Sequence, residues 1–222
     1  MMHLKKKFIQ FALKNQAIQF GNFKLKSGRN SPYFFNSSCF YTGKNLIKLG
    51  KFYASLIQNS KINFDSLFGL SYKGIPIAAT TAMILKQKYN LNKPFFFNRK
   101  IFKNYSEKGI LVDNNCIKNK IIIIDDVMTS GKTVNESIKV MNSISSEIEI
   151  LAIFCAFDRK ENENNKIKYK IDEKNQKNSY QLFSIINIID VIEFLKDKKI
   201  FTKHIKQIKN YYKKYGSEIL KS

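Results

Sequence analysis

The sequence predicts an α/β fold in which a parallel sheet is flanked by helices. Two observations carry that expectation. Ile121–Ile124 is an unbroken β-branched run, as suits a central strand covered on both faces. Other short apolar runs, at Phe64–Leu70, Pro94–Asn98, Ile148–Phe157 and Tyr180–Ile188, alternate with stretches of helical period. Such alternation implies crossover connections whose loops gather at the carboxyl edge of the sheet.

Each element has its own signal. Lys5–Gln19 carries Phe8, Phe11, Ala12 and Ile18 near helical spacing and predicts a first helix. Gly21–Pro32 predicts extended structure, with Phe23 and Leu25 alternating and a turn at Ser27-Gly28. Asn45–Gln58 predicts an amphipathic helix with Leu46, Leu49, Phe52, Tyr53, Leu56 and Ile57 on one face. The Phe64–Leu70 strand closes on Ser71-Tyr72-Lys73-Gly74, and a helix follows from about Ile75 to Lys88, with Pro76 suited to its first turn. After the Pro94–Asn98 strand, Arg99–Asp113 has few apolar anchors and is expected to be a long mobile loop. Ile121–Ile124 leads into a turn over Asp125–Thr133 and then a helix over Val134–Asn142. Asp158–Ser179, polar and aperiodic, is expected to be a surface excursion, and helices near Val191–Lys196 and Thr202–Tyr215 end the chain. Topology alone therefore places Tyr72-Lys73, the Arg99 loop, Asp125–Thr133 and Arg159 around one crevice.

Composition narrows the function. The 222 residues suit one domain spanning 1–222, and the 44% hydrophobic content suits a packed core. No stretch approaches the roughly 18 to 20 apolar residues of a membrane span. Ser184–Leu195 comes nearest and is broken by Asn187, Asp190 and Glu193. Lys5–Lys7 before Phe8–Leu13 superficially suggests a secretion signal. The apolar part is short, holds Gln10 and ends at Lys14 without a small-residue cleavage site, so a cytoplasmic protein is expected. Cys39, Cys116 and Cys155 are three thiols without close pairing, which excludes a Cys-rich zinc site and argues against a disulfide framework.

The 39 Lys and Arg against 17 Asp and Glu give a formal charge of +22. Phosphate neutralisation along a nucleic acid is one reading. The lysines are spread along the chain, however, and Lys, Asn, Ile and Phe are abundant together, as AT-rich codons produce. No specific nucleic-acid partner and no membrane partner is expected. His3 and His204 are the only two histidines, and neither has a Ser or Cys partner near in sequence. Chemistry by charge neutralisation and positioning is favoured over a nucleophilic triad.

The strongest motif runs from Ile121 through Asp125-Asp126-Val127-Met128-Thr129-Ser130-Gly131-Lys132-Thr133. A buried strand delivers two carboxylates, and a small hydroxylated turn then opens a helix. Backbone N–H groups there can grip a phosphate, and the acids can take hydroxyls or a hydrated cation. Gly131-Lys132-Thr133 ends like a P-loop, yet the position five residues before Gly131 is Asp126 rather than glycine, so the kinase or NTPase reading fails on spacing.

This motif resembles the signature of the type I phosphoribosyltransferases. Further segments make the chain similar to the orotate phosphoribosyltransferase family within them. They are Phe20-Gly-Asn-Phe-Lys-Leu-Lys26-Ser-Gly-Arg29, Ser31-Pro-Tyr-Phe34-Phe35-Asn36, Phe68-Gly-Leu-Ser-Tyr72-Lys73-Gly74, Phe97-Asn-Arg99-Lys100 and Phe157-Asp-Arg159. The resemblance covers nearly the whole chain. It implies transfer of phosphoribose from 5-phosphoribosyl 1-diphosphate (PRPP) to orotate, with Mg²⁺ held mainly by PRPP and water.

Carried over residue by residue, the resemblance puts the 5′-phosphate on the Thr129–Thr133 loop, with Val127 and Met128 leading into it. Asp125 and Asp126 would take the ribose hydroxyls, and Tyr72 and Lys73 would sit at the diphosphate. Lys26, Phe34 and Phe35 would belong to a hood of about residues 1–40 over the pyrimidine, with one of the two phenylalanines expected in the core. Arg159 and Thr129 would lie close to orotate. Arg99, Lys100, Lys103 and Tyr105 would neutralise the leaving group from a lid of about residues 99–113, shared across a homodimer. Lys103, Asp125 and Asp126 are thus the catalytic candidates. Two departures stand out: Tyr105 replaces the usual lid histidine, which predicts weaker help to the leaving group, and Lys132 replaces a frequent Thr. A purine-salvage transferase would lack the Lys26 and Phe34-Phe35 hood and Arg159. A PRPP-sensing or RNA-binding protein would have little use for a lysine lid.

Overall fold

The computed structural model describes residues 2–98, 111–112, 120–129, 131–144, 147–161 and 180–216. The first helix, α1 (Met2–Lys14), buries Phe8, Ile9, Phe11 and Ala12 along one stripe. It stops short of the Gln19 that periodicity suggests. Gln16 turns to φ 56°, the Ala17 N–H closes onto the Ala12 carbonyl at 2.8 Å, and Ile18 already opens a strand. That strand, β1 (Ile18–Lys24), pairs antiparallel with β2 (Asn30–Phe35) around a turn where Gly28 has φ +81°. A 3-10 turn over Ser37–Phe40 then leads to α2 (Gly43–Ser60), capped by the Thr42 side chain. Its buried face holds Leu49, Phe52, Tyr53, Leu56 and Ile57 as expected, with Leu46 only half-buried.

The main sheet follows the order β5-β4-β3-β6-β7-β8. Its strands are β3 (Ser66–Gly69), β4 (Phe95–Asn98), β5 (Leu111–Val112), β6 (Lys120–Met128), β7 (Glu149–Asp158) and β8 (Gln181–Asn187). The pairs β3–β4, β3–β6, β6–β7 and β7–β8 are parallel, and only β4–β5 is antiparallel. Helices α3 (Gly74–Tyr89), α4 (Lys132–Ile144), α5 (Ile188–Lys198) and α6 (Thr202–Tyr215) complete the fold. This is the expected parallel sheet between helices.

Ile121–Ile124 is fully buried, and the strand period of two divides it between the faces. Ile122 and Ile124 join the core built with α1, α2, α3, α5 and α6. Ile121 and Ile123 join the smaller one built with Val134 and Met141 of α4. No helix among the described residues is long and apolar enough to cross a membrane.

Three sequence expectations need correction. The turn placed at Asp125–Thr133 starts only after Met128, because β6 continues to pair with β7 through Asp125–Cys155, Val127–Phe157 and Met128–Asp158. Two acids interrupt the apolar pattern, yet the neighbouring strand keeps their backbone extended. Leu111–Val112, counted with the loop, forms a strand on β4. The excursion from Asp158 begins buried: Asp158 is 2% and Arg159 3% exposed, and Glu161 bridges to Gly216. The remainder of that excursion, 162–179, lies outside the described residues, as do the proposed lid residues Arg99, Lys100, Lys103 and Tyr105.

Candidate active site

At the carboxyl edge of the sheet the ends of β3 and β6 lie side by side, through the register Gly69–Ile124. The chain leaving β3 turns through Leu70-Ser71-Tyr72-Lys73 and enters α3 at Gly74. Gly74 permits this close approach. A Cβ there would collide with the Ile124 carbonyl oxygen, a backbone atom that cannot yield. The Gly74 N–H bonds back to the Leu70 carbonyl at 2.9 Å, and the Leu70 N–H to the Ile124 carbonyl at 2.9 Å. Ser71 Oγ donates to the Asn98 carbonyl at 2.8 Å, tying the turn to the end of β4. The Ser71–Tyr72 peptide bond is cis.

This packing sets Lys73 against the acids. Lys73 Nζ stands 3.3 Å from Asp126 Oδ2, with the lysine side chain 44% and the acid side chain 13% exposed. The same carboxylate oxygen accepts from Ser37 Oγ at 2.6 Å, contributed by the 3-10 turn after the hairpin. Asp125 Oδ1 accepts from the Asp126 N–H at 2.8 Å, and the Asp125 carbonyl accepts from the Tyr53 hydroxyl at 2.6 Å. Burial, and then the neighbouring Asp126 carboxylate, push Asp125 well above the usual carboxylate range. Burial likewise raises the Tyr53 hydroxyl well above its ordinary value, so it stays a donor.

Beyond Met128 the chain bends at Thr129, and Gly131 takes φ +75°, a left-handed value that suits glycine. Helix α4 then begins at Lys132, so its first N–H groups open beside the acids. Thr129 and Thr133 are exposed there; Ser130 and the Lys132 side chain lie outside the described residues. The Arg159 N–H bonds to the Met128 carbonyl at 3.1 Å, which brings the end of β7 to the same loop.

The structure therefore brings Lys73, Asp125, Asp126, Val127, Met128, Thr129, Gly131 and Thr133 to one edge of the sheet. Tyr72 is 65% exposed beside them. Lys26 is exposed beyond the end of β1. Phe34 and Phe35 fall on opposite faces of β2, as neighbours on a strand must. Phe35 is a core residue stacked on Phe157 at 5.2 Å, whereas half-buried Phe34 stacks on Phe23 at 5.5 Å. Arg159 is held by a side chain that sequence reasoning did not single out: Glu161 Oε1 accepts from its Nε at 2.9 Å. Ser37 and Tyr53 were missed likewise. Each acts on residues far away along the chain, and only the folded backbone shows the pairing.

The lysines also gather more than the sequence suggests. Exposed Lys203, Lys206, Lys209 and Lys213 follow one another along α6, and the charge of Lys196 lowers the Lys209 pKa.

Residues 38–185 match the family model described as a phosphoribosyl transferase domain. An orotate phosphoribosyltransferase of Buchnera aphidicola is 48% identical over 97% of this chain and 100% of its own length. One from Vibrio parahaemolyticus is 39% identical over 96% of this chain and 98% of its own. A crystal structure of orotate phosphoribosyltransferase from Francisella tularensis superposes with a TM-score of 0.78 at 37% identity, covering 95% of this chain and all of that one.

Proposed function

Because the chain belongs to the orotate phosphoribosyltransferases, within the phosphoribosyl transferase family, we propose how its residues divide the transfer of phosphoribose from PRPP to orotate. The observation that carries the reading is the convergence of Lys73 and Ser37 on Asp126 at the mouth of β6. Lys73 pairs with one carboxylate oxygen at 3.3 Å yet keeps its side chain 44% exposed, so it can turn to a more highly charged partner. Lys73 neutralises diphosphate as it departs, and Tyr72 stands beside it. Asp125 and Asp126 accept hydrogen bonds from the ribose hydroxyls. The α4 N-terminus with Thr129, Ser130, Gly131, Lys132 and Thr133 holds the 5′-phosphate. The β1–β2 hairpin forms the hood, with Lys26 and Phe34 toward the base and Phe35 anchoring it from below. Arg159 meets the charged edge of orotate.

The reacting carbon acquires positive character as diphosphate leaves, so the burden falls on leaving-group charge rather than on a base. The orotate nitrogen needs orientation more than activation. Among the described residues no three His, Cys, Asp or Glu side chains form a metal cage. Asp126 Oδ2 is already taken by Lys73 and Ser37, and Asp125 Oδ1 by a backbone N–H. The acids thus already have protein partners and could meet a hydrated Mg²⁺ carried on PRPP through its water shell. When bound, Mg²⁺ supplies further neutralisation of the diphosphate charge.

The reading extends to a cytoplasmic homodimer whose 99–113 lid, with Arg99, Lys100, Lys103 and Tyr105, reaches the partner's site. A test of base and metal follows the loss of orotate absorbance with PRPP, with and without Mg²⁺, beside uracil and hypoxanthine. Orotate alone is expected to be consumed, and only with Mg²⁺. Equal turnover in the presence of a chelator would sink the metal assignment, and turnover of uracil at a matching rate would sink the base contacts.

A further inference from the structure

Three parts of the fold distant in sequence meet on one carboxylate. Glu161 follows β7 and its side chain is 7% exposed. Its Oε1 accepts from the Tyr33 hydroxyl of β2 at 2.8 Å and from Arg159 Nε at 2.9 Å, and stands 2.7 Å from Arg159 Nη2. Its Oε2 accepts from the Tyr211 hydroxyl of α6 at 3.2 Å and lies 3.8 Å from Arg29 Nη1 at the hairpin turn. Arg159 in turn donates Nη2 to Ser31 Oγ at 2.9 Å and lies over the Tyr33 ring at 4.2 Å. The backbone is held as well, since the Tyr212 hydroxyl donates to the Arg159 carbonyl at 2.7 Å and Glu161 bridges to Gly216.

An arginine has four side-chain torsions, and fixing them on binding costs free energy that a preorganised site has already spent. Here Nε and Nη2 are occupied on one side by Glu161 and Ser31, and the ring of Tyr33 sets the plane. A buried ion pair is by itself weak evidence for stability, because desolvation offsets most of the attraction. Orienting the guanidinium is the more economical role for so many donors on one acid.

We infer that Glu161 is a positioning residue for orotate: it fixes the Arg159 guanidinium, and through Tyr33 and Tyr211 it couples that orientation to the hood and to α6. The inference rests on the reading that Arg159 contacts orotate. Glu161 keeps its neighbours' geometry without touching substrate itself, so its removal acts on orotate and leaves PRPP recognition alone.

The test is steady-state kinetics of Glu161→Gln, Arg159→Ala and the double variant, with each substrate varied in turn. Glu161→Gln is expected to raise KM for orotate about tenfold, the worth of one charge-assisted hydrogen bond, with KM for PRPP within about twofold. Its preference for orotate over uracil should shrink by a similar factor. In the Arg159→Ala background the Glu161 change should add nothing further. An equal rise in both KM values, or full additivity in the double variant, would make Glu161 a fold support and overturn the inference. If Arg159→Ala leaves KM for orotate unchanged, the Arg159 contact itself is wrong. If Arg159→Ala raises it and Glu161→Gln does not, only the positioning role fails. Should Glu161→Gln not fold, Glu161→Asp keeps the charge, shortens the reach by one methylene and carries the same expectations.

Discussion

Replacing Lys73 by Ala separates two roles of the same contact, one in the resting protein and one in the reaction. At 3.3 Å from Asp126 Oδ2 the pair is worth about 5 kcal/mol at an effective dielectric of about 20, before desolvation and screening. The lysine side chain is 44% exposed, so solvent and the entropy of a long side chain cancel most of that. Exposed pairs yield roughly 0 to 1 kcal/mol, which for a chain of this length lowers Tm by about 2 to 4 °C at most. Against a departing diphosphate the same ammonium meets charge that grows in the transition state, where one well-placed donor is worth about 3 to 4 kcal/mol. Lys73→Ala is therefore expected to lose about 100- to 1,000-fold in kcat while its unfolding midpoint barely moves. Orotate absorbance gives kcat, and a thermal melt of the ligand-free enzyme gives Tm. A fall in Tm beyond about 5 °C with kcat reduced less than tenfold would show that Lys73 serves Asp126 rather than the leaving group, and the reasoning would fail.

Two further outcomes follow from the same geometry. Asp125 is held above the usual carboxylate range by burial and by Asp126, so its contribution to stability is present below about pH 4 and is lost as pH rises through the raised folded value. Asp125→Asn removes that loss: urea denaturation of the ligand-free protein should show the variant gaining on the wild type as pH rises from about 4, with a roughly 10- to 100-fold fall in kcat/KM from the lost charged acceptor. A stability difference independent of pH would mean that Asp125 titrates normally. Phe35→Ala should cost about 3 to 5 kcal/mol in urea unfolding because it empties the stack on Phe157, whereas Phe34→Ala should cost under about 2 and instead raise KM for orotate. Equal stability losses would mean that both rings are core.

Much of this site was legible because topology and local pattern agreed. The Ile121–Ile124 run announced a buried central strand, and placing Tyr72-Lys73 and the paired acids at one sheet edge needed only the order of strands and helices. What was not legible depended on long-range pairing. Asp125–Met128 reads as a turn because acids break the apolar run, but β7 supplies the ladder that keeps it extended. The end of α1 escaped because Gln16, a non-glycine residue, takes the left-handed conformation that stops it. β2 allowed only one of Phe34 and Phe35 to face inward, and which one was decided by the position of Phe157. Ser37 carries no local signal at all, since its partner Asp126 lies 89 residues away. Glu161 lies two residues from Arg159, but the Tyr33 hydroxyl that also meets it comes from 128 residues away.

The acid pair also explains why so much structure converges on it. Two adjacent carboxylates at the end of a buried strand repel one another and lose hydration, and the fold offsets this unevenly. Asp126 receives a cation and a hydroxyl, from Lys73 and Ser37. Asp125 receives one backbone N–H, and the Tyr53 hydroxyl anchors its carbonyl rather than its carboxylate. Burial, and then the neighbouring Asp126 carboxylate, raise the pKa of Asp125. Substrate hydroxyls can supply the hydrogen bonds that Asp125 lacks, so part of the free energy withheld from folding returns on binding. The close packing that permits this depends on Gly74, where any side chain would push α3 away from Ile124 and carry Lys73 off Asp126. Stability and chemistry therefore meet at the same few atoms, and a change there that stabilises the resting protein should weaken its hold on substrate.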